Sequence, residues 1–363
     1  MEAVPAWCCA VCGGRGAAAG VPPAAGGATL VTVRGEVVKL DRGYPLVRLE
    51  DGALLRAEHA IALVKGAQER AVIGDEVLVQ VPEEHDKAII EEILPRRCTF
   101  TRKDPTERAL PQVLAANFDQ VIVAQPINDV NLRRLERELV LAFETGAAVA
   151  VVLTKADLAA DEQQAAEVER QVRALAGPDV PVLVMSAANP VSVEAVRARL
   201  SPGTMTVLIG RSGVGKSSLV NLLVGSQVQQ TQTVREGDGK GRHTTVSREI
   251  IPLPNGARVV DMPGVRGLGL WEAEGGLDAA FADIAALAEQ CRFRDCRHQQ
   301  EPGCAVRAAV ETGELSPQRF ASYQTLVQET RTLKQRREEA RWMQKEQPKI
   351  AKRPKKSKSR ARR

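Results

Sequence analysis

The chain has 363 residues, of which 44% are hydrophobic and 26% charged. This length suits two or three domains of about 150 residues each, and the composition is that of a globular protein with a sizeable core. No apolar run approaches the roughly 20 residues that a membrane helix needs, and the first residues lack a secretory pattern. We therefore expect a cytoplasmic protein without a membrane segment.

The basic residues are concentrated at the C-terminal end. The net charge is +5, yet residues 349–363 alone hold nine Lys or Arg and no acidic residue, so the rest of the chain is mildly acidic. Such a segment repels itself and cannot bury apolar surface. We predict a disordered basic tail that binds polyanions, with a merely solubilising tail as the alternative.

The N-terminal region changes character near residue 29. Residues 1–28 are rich in Ala, Gly and Pro and show no periodicity, so we predict a disordered extension. Cys8, Cys9 and Cys12 lie in it and give only a weak signal for a metal or redox site.

Short apolar runs separated by turn signals follow, at 31–40, 44–49, 53–57, 77–81 and 88–93. Several short strands at this spacing predict a small closed β-barrel. An OB-fold is favoured by the size and the strand number, and such barrels often bind RNA. The pattern alone fits an SH3-like barrel, or a barrel with no nucleic-acid role, equally well.

A basic, polar stretch then leads into an alternation of strands and helices. The predicted strands are 120–124, 147–153 and 180–185, and the predicted helices are 132–142, 162–175 and 191–200. Continuous apolar strands that alternate with helices indicate a mostly parallel sheet covered by helices on its faces.

A phosphate-binding loop comes next. Gly210–Ser217 fits the pattern Gly-x-x-x-x-Gly-Lys-Ser/Thr and lies between an apolar run and a segment with helical spacing. In such a P-loop the backbone N–H groups and the helix N-terminus bind phosphate, Lys216 contacts the β- and γ-phosphates, and the Ser217 hydroxyl binds Mg²⁺. The predicted contact residues are Gly210, Arg211, Ser212, Gly213, Val214, Gly215, Lys216, Ser217 and Ser218.

The base is predicted to be guanine. Thr154, Lys155, Ala156 and Asp157 follow a predicted strand and resemble the Asn/Thr-Lys-x-Asp motif of the GTPase superfamily. One carboxylate can accept the adjacent N1–H and 2-amino donors of guanine, which adenine lacks, so Asp157 argues against an ATP-using kinase or transport ATPase. The next strand ends in Ser186 and Ala187, like the loop that meets the guanine O6.

A glycine-rich segment at 236–245 is typical of a switch loop that the γ-phosphate orders. Thr245 is the favoured additional Mg²⁺ ligand and Thr244 the alternative. His243 is the nearest group that could assist the attacking water, although an ordinary loop residue is the alternative. We assign catalytic roles to His243, Lys216 and Thr245.

The strand predicted at 257–260 ends in Asp261, Met262, Pro263 and Gly264, an Asp-x-x-Gly arrangement. Asp261 would hold Mg²⁺ through water, and the Gly264 N–H would meet the γ-phosphate. Because the base motif precedes the P-loop, the domain is predicted to be circularly permuted. Val265 stands where Ras-like enzymes carry a water-orienting Gln, so we expect slow intrinsic hydrolysis.

A cysteine and histidine cluster follows. Cys291, Cys296, His298 and Cys304 form a Cys-x4-Cys-x-His-x5-Cys array, and such ligands favour a closed, structural tetrahedral zinc site. Cys98 stands apart as an ordinary thiol. The nearby cations could form a basic surface for RNA phosphate; they are Arg292, Arg294, Arg297 and Arg307.

These predictions divide the chain into consecutive regions. They are a disordered extension at 1–28, an OB-fold barrel at 29–95, a linker at 96–112, a circularly permuted α/β GTPase domain at 113–270, a helical zinc-binding domain at 271–347 and a disordered basic tail at 348–363. A non-catalytic RNA-binding scaffold with a vestigial GTP pocket is the rival, and the intact Lys216, Ser217, Asp157 and Asp261 argue against it.

From about residue 32 to 325 the chain resembles the RsgA (YjeQ) family, the small-ribosomal-subunit-dependent GTPases of bacteria. The resemblance rests on Gly35-Glu36-Val37-Val38, Asp51-Gly52, Ile93-Leu94-Pro95-Arg96-Arg97, the permuted motif order and the cysteine array. It implies a factor that binds the small subunit and its rRNA near the decoding region late in maturation. It also implies hydrolysis that the subunit stimulates and that releases the factor, with His243 assisting. We expect a monomer.

Overall fold

The computed structural model describes residues 31–41, 44–67, 69–81, 87–103, 111–227, 248–262, 270 and 273–350. Several predicted features lie outside the described residues: the extension at 1–28, the switch segment at 236–245, Gly264, Val265 and the tail beyond Ile350. Within the described ranges, no helix is both long and apolar enough to cross a membrane.

The N-terminal unit is a closed barrel of five strands, β1 (Val31–Asp41), β2 (Tyr44–Leu49), β3 (Leu54–His59), β4 (Glu76–Val81) and β5 (Lys87–Ile93). The strand order is β1-β2-β3-β5-β4, and β4 returns to pair with β1. β3 and β5 are parallel, and the other neighbours are antiparallel. This is the OB-fold arrangement, so the predicted barrel is confirmed.

Every second side chain along the strands points into the barrel and fills it. The apolar interior is formed by Val37, Val47, Ala57, Val77, Val79, Ala88 and Ile90. A Cβ on Gly35 would lie 2.4 Å from the Cγ1 atom of Val47, so the close approach of β1 and β2 requires glycine at that position. Sequence reasoning missed the π-helical turn Ala62–Ala67 between β3 and β4.

The structure has a hairpin where the sequence predicts a linker at 96–112. β6 (Thr99–Lys103) pairs antiparallel with β7 (Pro111–Ala116). Phe100 is fully buried between two threonines, which is the alternation of a half-buried strand. The charged residues that follow Phe100 hide this short pattern in the sequence.

The central sheet contains β8 (Gln120–Pro126), β9 (Ala148–Thr154), β10 (Val182–Val184), β11 (Met205–Ile209), β12 (Arg248–Pro252) and β13 (Arg258–Asp261). Its order is β10-β9-β8-β11-β13-β12. The pairings are parallel except for β12, which is antiparallel to β13. The sheet is therefore mostly parallel, as predicted.

Helices cover both faces of this sheet. They are α1 (Leu132–Glu144), α2 (Glu162–Ala176), α3 (Pro190–Arg197) and α4 (Lys216–Val224). Val121 and Val123 of β8 belong to the core cluster that includes α1 and α2. Ile122, between them, belongs to the cluster that includes α3 and α4. Burial on both faces explains the continuous apolar strands.

The barrel is attached to the edge of the sheet. β1 pairs with β12 through Lys39 opposite Glu249 and Leu40 opposite Arg248. The Lys39 ammonium also lies 2.6 Å from the Glu249 carboxylate. Backbone pairing at an otherwise open edge strand thus joins the two units.

The C-terminal unit has four helices, α5 (Glu274–Ala280), α6 (Ala282–Ala288), α7 (Ala305–Thr312) and α8 (Pro317–Ile350). α8 ends at Ile350, three residues beyond the boundary at 347 that the sequence predicts. The three added residues are Pro348, Lys349 and Ile350, and the end of a helix is the part that a sequence defines least sharply.

Helix α1 carries the contacts that dock the C-terminal helices. The backbone of Gly276 in α5 approaches the Val140 carbonyl, and its N–H donates to the Glu144 carboxylate at 2.7 Å. Arg137 of α1 forms a two-bond pair with Glu329 of α8, at 2.6 and 2.7 Å. The last unit is therefore held against the nucleotide-domain helix by backbone and charged contacts.

We predict that Gly276→Ala destabilises this docking. A Cβ there would lie 2.1 Å from the Val140 carbonyl oxygen, so α5 would have to move away from α1. The expected loss in the free energy of unfolding is about 1–3 kcal/mol, measured by urea denaturation. Gly275→Ala is the matched control, because its Cβ meets only the Glu144 carboxylate at 3.7 Å. An equal loss for both variants would contradict the close approach.

Candidate functional site

The loop between β11 and α4 has a backbone that requires glycine. Gly210, Gly213 and Gly215 have φ angles of 142°, 82° and 103°. A Cβ on Gly210 would also lie 2.5 Å from the Ala124 carbonyl oxygen of β8. Gly215 is the N-cap of α4 and supplies no side-chain hydrogen bond, so N–H groups at the helix start are free of a side-chain cap. This end can bind an anion.

Lys216 is folded back over this loop. Its side chain is only 6% exposed, and Nζ donates to the carbonyls of Gly210 at 2.8 Å and Arg211 at 3.2 Å. Burial lowers the pKa of Lys216, whereas the charges of Asp261 and Glu138 oppose that shift. The ammonium is thus held at the phosphate loop by carbonyl oxygens and nearby carboxylates.

Ser217 and Asp261 meet at the start of α4. The Ser217 hydroxyl donates to Oδ2 of Asp261 at 3.1 Å. Oδ1 of Asp261 is buried and has no hydrogen-bond partner among the described residues. Burial raises the pKa of Asp261, while Lys216 and Ser217 lower it. An unpaired carboxylate oxygen beside a hydroxyl is a donor set that fits Mg²⁺.

The predicted base loop is connected to the phosphate loop. The buried hydroxyl of Thr154, at the end of β9, contacts the carbonyls of Gln125, at 3.2 Å, and Val214. Lys155 has a left-handed φ of 57°, and Ala156 begins a short 3₁₀ turn. This turn directs the chain so that the base loop lies next to the P-loop.

Asp157 and Ser186 lie together at one end of the sheet. The Ser186 hydroxyl donates to Oδ1 of Asp157 at 2.7 Å. Asp157 and Ala187 are exposed, whereas Ser186 is buried. The exposed Asp157 carboxylate, held by Ser186 at one oxygen, can therefore also accept hydrogen bonds from a ligand.

The cysteine and histidine side chains of the C-terminal unit converge. The ligand atoms of Cys291, Cys296, His298 and Cys304 all lie within 4.8 Å of one another. Nδ1 of His298 is 3.7 Å from the Cys291 sulfur and 3.4 Å from the Cys304 sulfur. Sulfur–metal bonds of about 2.3 Å in a tetrahedron give separations of this size. The cluster is compatible with one metal ion.

The four arginines near this cluster differ in their exposure to solvent. Arg292, Arg294 and Arg297 are exposed, whereas Arg307 is only partly exposed and lies 3.6 Å from the Glu311 carboxylate. Three of the four cations that the sequence suggests for a basic surface are therefore displayed around the cluster.

Three predicted site residues, His243, Thr245 and Gly264, lie outside the described residues. Conversely, sequence reasoning missed Gln125 and Glu138, which are buried behind the phosphate loop. The only signal for Glu138 is an acidic residue within the apolar stripe of α1, and a sequence does not reveal which neighbour that stripe meets.

The fold and the site define a circularly permuted P-loop GTPase. The RsgA GTPase family model matches residues 93–271. The chain is 43% identical over 300 residues to the small ribosomal subunit biogenesis GTPase RsgA of Streptomyces avermitilis. The aligned region covers 82% of this chain and 80% of that protein. The chain belongs to the RsgA family.

Solved structures agree with the fold. The crystal structure of YjeQ from Thermotoga maritima aligns with a TM-score of 0.62 and 27% identity, over 83% of this chain and 99% of that one. The crystal structure of YloQ, a circularly permuted GTPase, aligns with a TM-score of 0.58 and 24% identity, over 83% and 96% of the two chains, and shares the fold.

We predict that the cysteine cluster binds one metal ion for each chain. Elemental analysis of the purified protein should find about one equivalent, and Cys304→Ser should lose it and lower the melting temperature, because a ligand is removed. Cys98→Ser is the control, since Cys98 contacts the Phe118 carbonyl and lies outside the cluster. Metal retained in Cys304→Ser would contradict the site.

Proposed function

We propose that this GTPase binds the small ribosomal subunit, assists its late maturation in the cytoplasm and is released when GTP is hydrolysed. The observation that carries the proposal is the breadth of the similarity. A relative named a small ribosomal subunit biogenesis GTPase matches over four fifths of its length, at 43% identity. The match is long enough to include more than the nucleotide domain.

The phosphate site follows from the loop geometry. The N–H groups of the P-loop, from Gly210 to Ser218, bind the phosphates, and Lys216 leaves its carbonyl partners to contact the β- and γ-phosphates. Ser217 and Asp261 hold Mg²⁺, together with Thr245 of the switch segment. When bound there, Mg²⁺ would supply positive charge to the phosphate oxygens.

Base selection rests on a charge-assisted pair of hydrogen bonds. The exposed Asp157 carboxylate accepts the N1–H and 2-amino groups of guanine, and the Ser186 hydroxyl fixes the carboxylate from the buried side. Lys155 packs its aliphatic stem on the base, and Ala187 lies near the guanine O6.

The catalytic machinery is incomplete without a partner. Val265 cannot orient water, so intrinsic turnover is slow, and His243 is the group on the chain best suited to assist. Gly264 contacts the γ-phosphate through its N–H. Stimulation by the ribosomal subunit would supply the missing positioning.

The remaining units serve recognition. The four clustered ligands hold one structural Zn²⁺, since three thiolates and one imidazole complete its coordination and no position remains for substrate. These four side chains would thereby hold the segment between α6 and α7 together. Contact with rRNA phosphate is made by the exposed arginines beside the cluster, by the OB-fold barrel and by the basic residues at 349–363. The protein acts as a monomer.

Asp157→Asn should weaken GTP binding by about 10- to 100-fold, because a charge-assisted pair is lost. Xanthosine triphosphate should bind better to the variant, since the amide can donate to the 2-oxo group. Fluorescence titrations with both nucleotides measure the change. Asp161→Asn is the matched control, because Asp161 only caps α2 and Asn caps equally well. Unchanged GTP affinity would rule out the base assignment.

Hydrolysis by the purified protein should be slow alone and rise at least about tenfold with isolated small subunits, if the partner supplies the missing positioning. Phosphate release measured with small subunits, large subunits or no subunit gives the answer. Equal rates in all three reactions, from a protein that binds GTP, would contradict the proposed partner.

A further inference from the structure

Helix α1 carries two buried glutamates that face different neighbours. Glu136 is 4% exposed, and it accepts hydrogen bonds from Ser322 and from Arg319, the latter at 3.4 Å. Both partners belong to α8. Glu138 is 1% exposed and has no part in that contact. A buried carboxylate is costly unless nearby groups compensate it, so the partners of Glu138 indicate what it does.

Glu138 lies directly behind the phosphate loop. Its Oε2 accepts a hydrogen bond from Nε2 of Gln125, which is the buried next-to-last residue of β8. The backbone carbonyl of Gln125 accepts from Thr154, whose hydroxyl also contacts Val214 of the P-loop. The preceding carbonyl, that of Ala124, is the one against which Gly210 packs. One side chain therefore separates Glu138 from the base of the loop.

The charges around Glu138 are few and close to the nucleotide site. On its own helix, Nε of Arg134 lies 3.4 Å from Oε1, and Arg134 is one third exposed. The neighbour of Glu138 on β8 is the neutral Gln125. The positive charge of the buried Lys216 on α4 also acts on Glu138. The negative charges of Asp261 and Glu138 in turn both act on Lys216. Glu138 thus lies where its charge compensates that of a buried ammonium.

Protonation of Glu138 responds to this setting near neutral pH. Burial raises the pKa of Glu138 to about 7, and Arg134, Gln125 and Lys216 oppose the shift. The carboxyl group is therefore mostly neutral at pH 6 and mostly ionised at pH 8. Bound phosphates add negative charge to the same region, which favours the protonated form further.

We propose that Glu138 is a positioning residue of the nucleotide site, a buried counter-charge that holds Lys216 on the P-loop carbonyls before binding and repels the phosphates afterwards. The proposal rests on the GTP site described above and concerns its affinity. In the nucleotide-free protein the carboxylate stabilises the ammonium. In the bound protein the phosphates take over that role, and the remaining carboxylate weakens nucleotide binding and favours release.

Glu138→Gln is the direct test, because the amide keeps the shape and can still accept from Gln125 while it removes the charge. At pH 8 the dissociation constants for GTP and GDP should fall by about three- to tenfold relative to the wild-type protein. At pH 6 the two proteins should bind almost equally, since the wild-type carboxyl group is then neutral. A comparison at each pH cancels the titration of the nucleotide itself.

Glu136→Gln is the matched control. It makes the same change on the same helix, but its contacts lie on α8, so nucleotide affinity should stay at the wild-type value at both pH values. Thermal unfolding of each variant, monitored by circular dichroism, verifies that the fold is retained. The full-length protein is used throughout.

The outcomes separate the alternatives. Equal or weaker GTP binding by folded Glu138→Gln at pH 8 would overturn the counter-charge role, because removal of a charge that repels the phosphates must tighten binding. If Glu138→Gln does not fold, Glu138→Asp is the second variant to measure. That variant keeps the charge and should not tighten binding at pH 8, so tighter binding would also overturn the role. Failure of the wild-type protein to bind GTP would contradict the proposed nucleotide site instead.

Discussion

The close contact between Gly210 and the Ala124 carbonyl is the constraint on which the nucleotide site depends. It sets the phosphate loop directly on the end of β8, at a distance that no other residue permits. Once the loop is there, its carbonyls meet Lys216, and Val214 comes within reach of Thr154. The base loop is thereby fixed relative to the phosphate loop, since the Thr154 hydroxyl contacts both the end of β8 and Val214 of the phosphate loop.

Helix α1 connects this site to the rest of the molecule. One side of it lies against the sheet, where Glu138 meets Gln125, and the other receives α5 and α8. Gly276 permits the backbones of α1 and α5 to touch, and Glu136 and Arg137 bind α8 through charge. The polar side chains of Glu136, Arg137 and Glu138, three consecutive residues, therefore contact two different units of the protein.

The sequence predicts an element or a site residue correctly where a motif or the hydrophobic periodicity defines it. Strand β2 has the bounds 44–49 that its alternation predicts, and Asp157 meets Ser186 because parallel strands end at the same edge of the sheet. It fails where long-range packing decides. Only Phe100 marks the hairpin of β6 and β7 in the sequence. Gly275 and Gly276 obscure α5, because glycine is unfavourable in a helix and the approach of α1 that favours it here is not visible in the sequence. Glu138 belongs to this second group.

Circular permutation changes where the chain leaves the sheet. In this order β13 is the last strand of the described residues, and its final residue, Asp261, contacts Ser217 at the start of α4. The segment that leads to the C-terminal unit therefore begins at the phosphate site itself. That unit then packs back on α1, whose Glu138 reaches the same loop from behind. The cysteine and histidine cluster is thus connected to the phosphate loop by two routes, the chain that follows Asp261 and the packing of the C-terminal unit on α1.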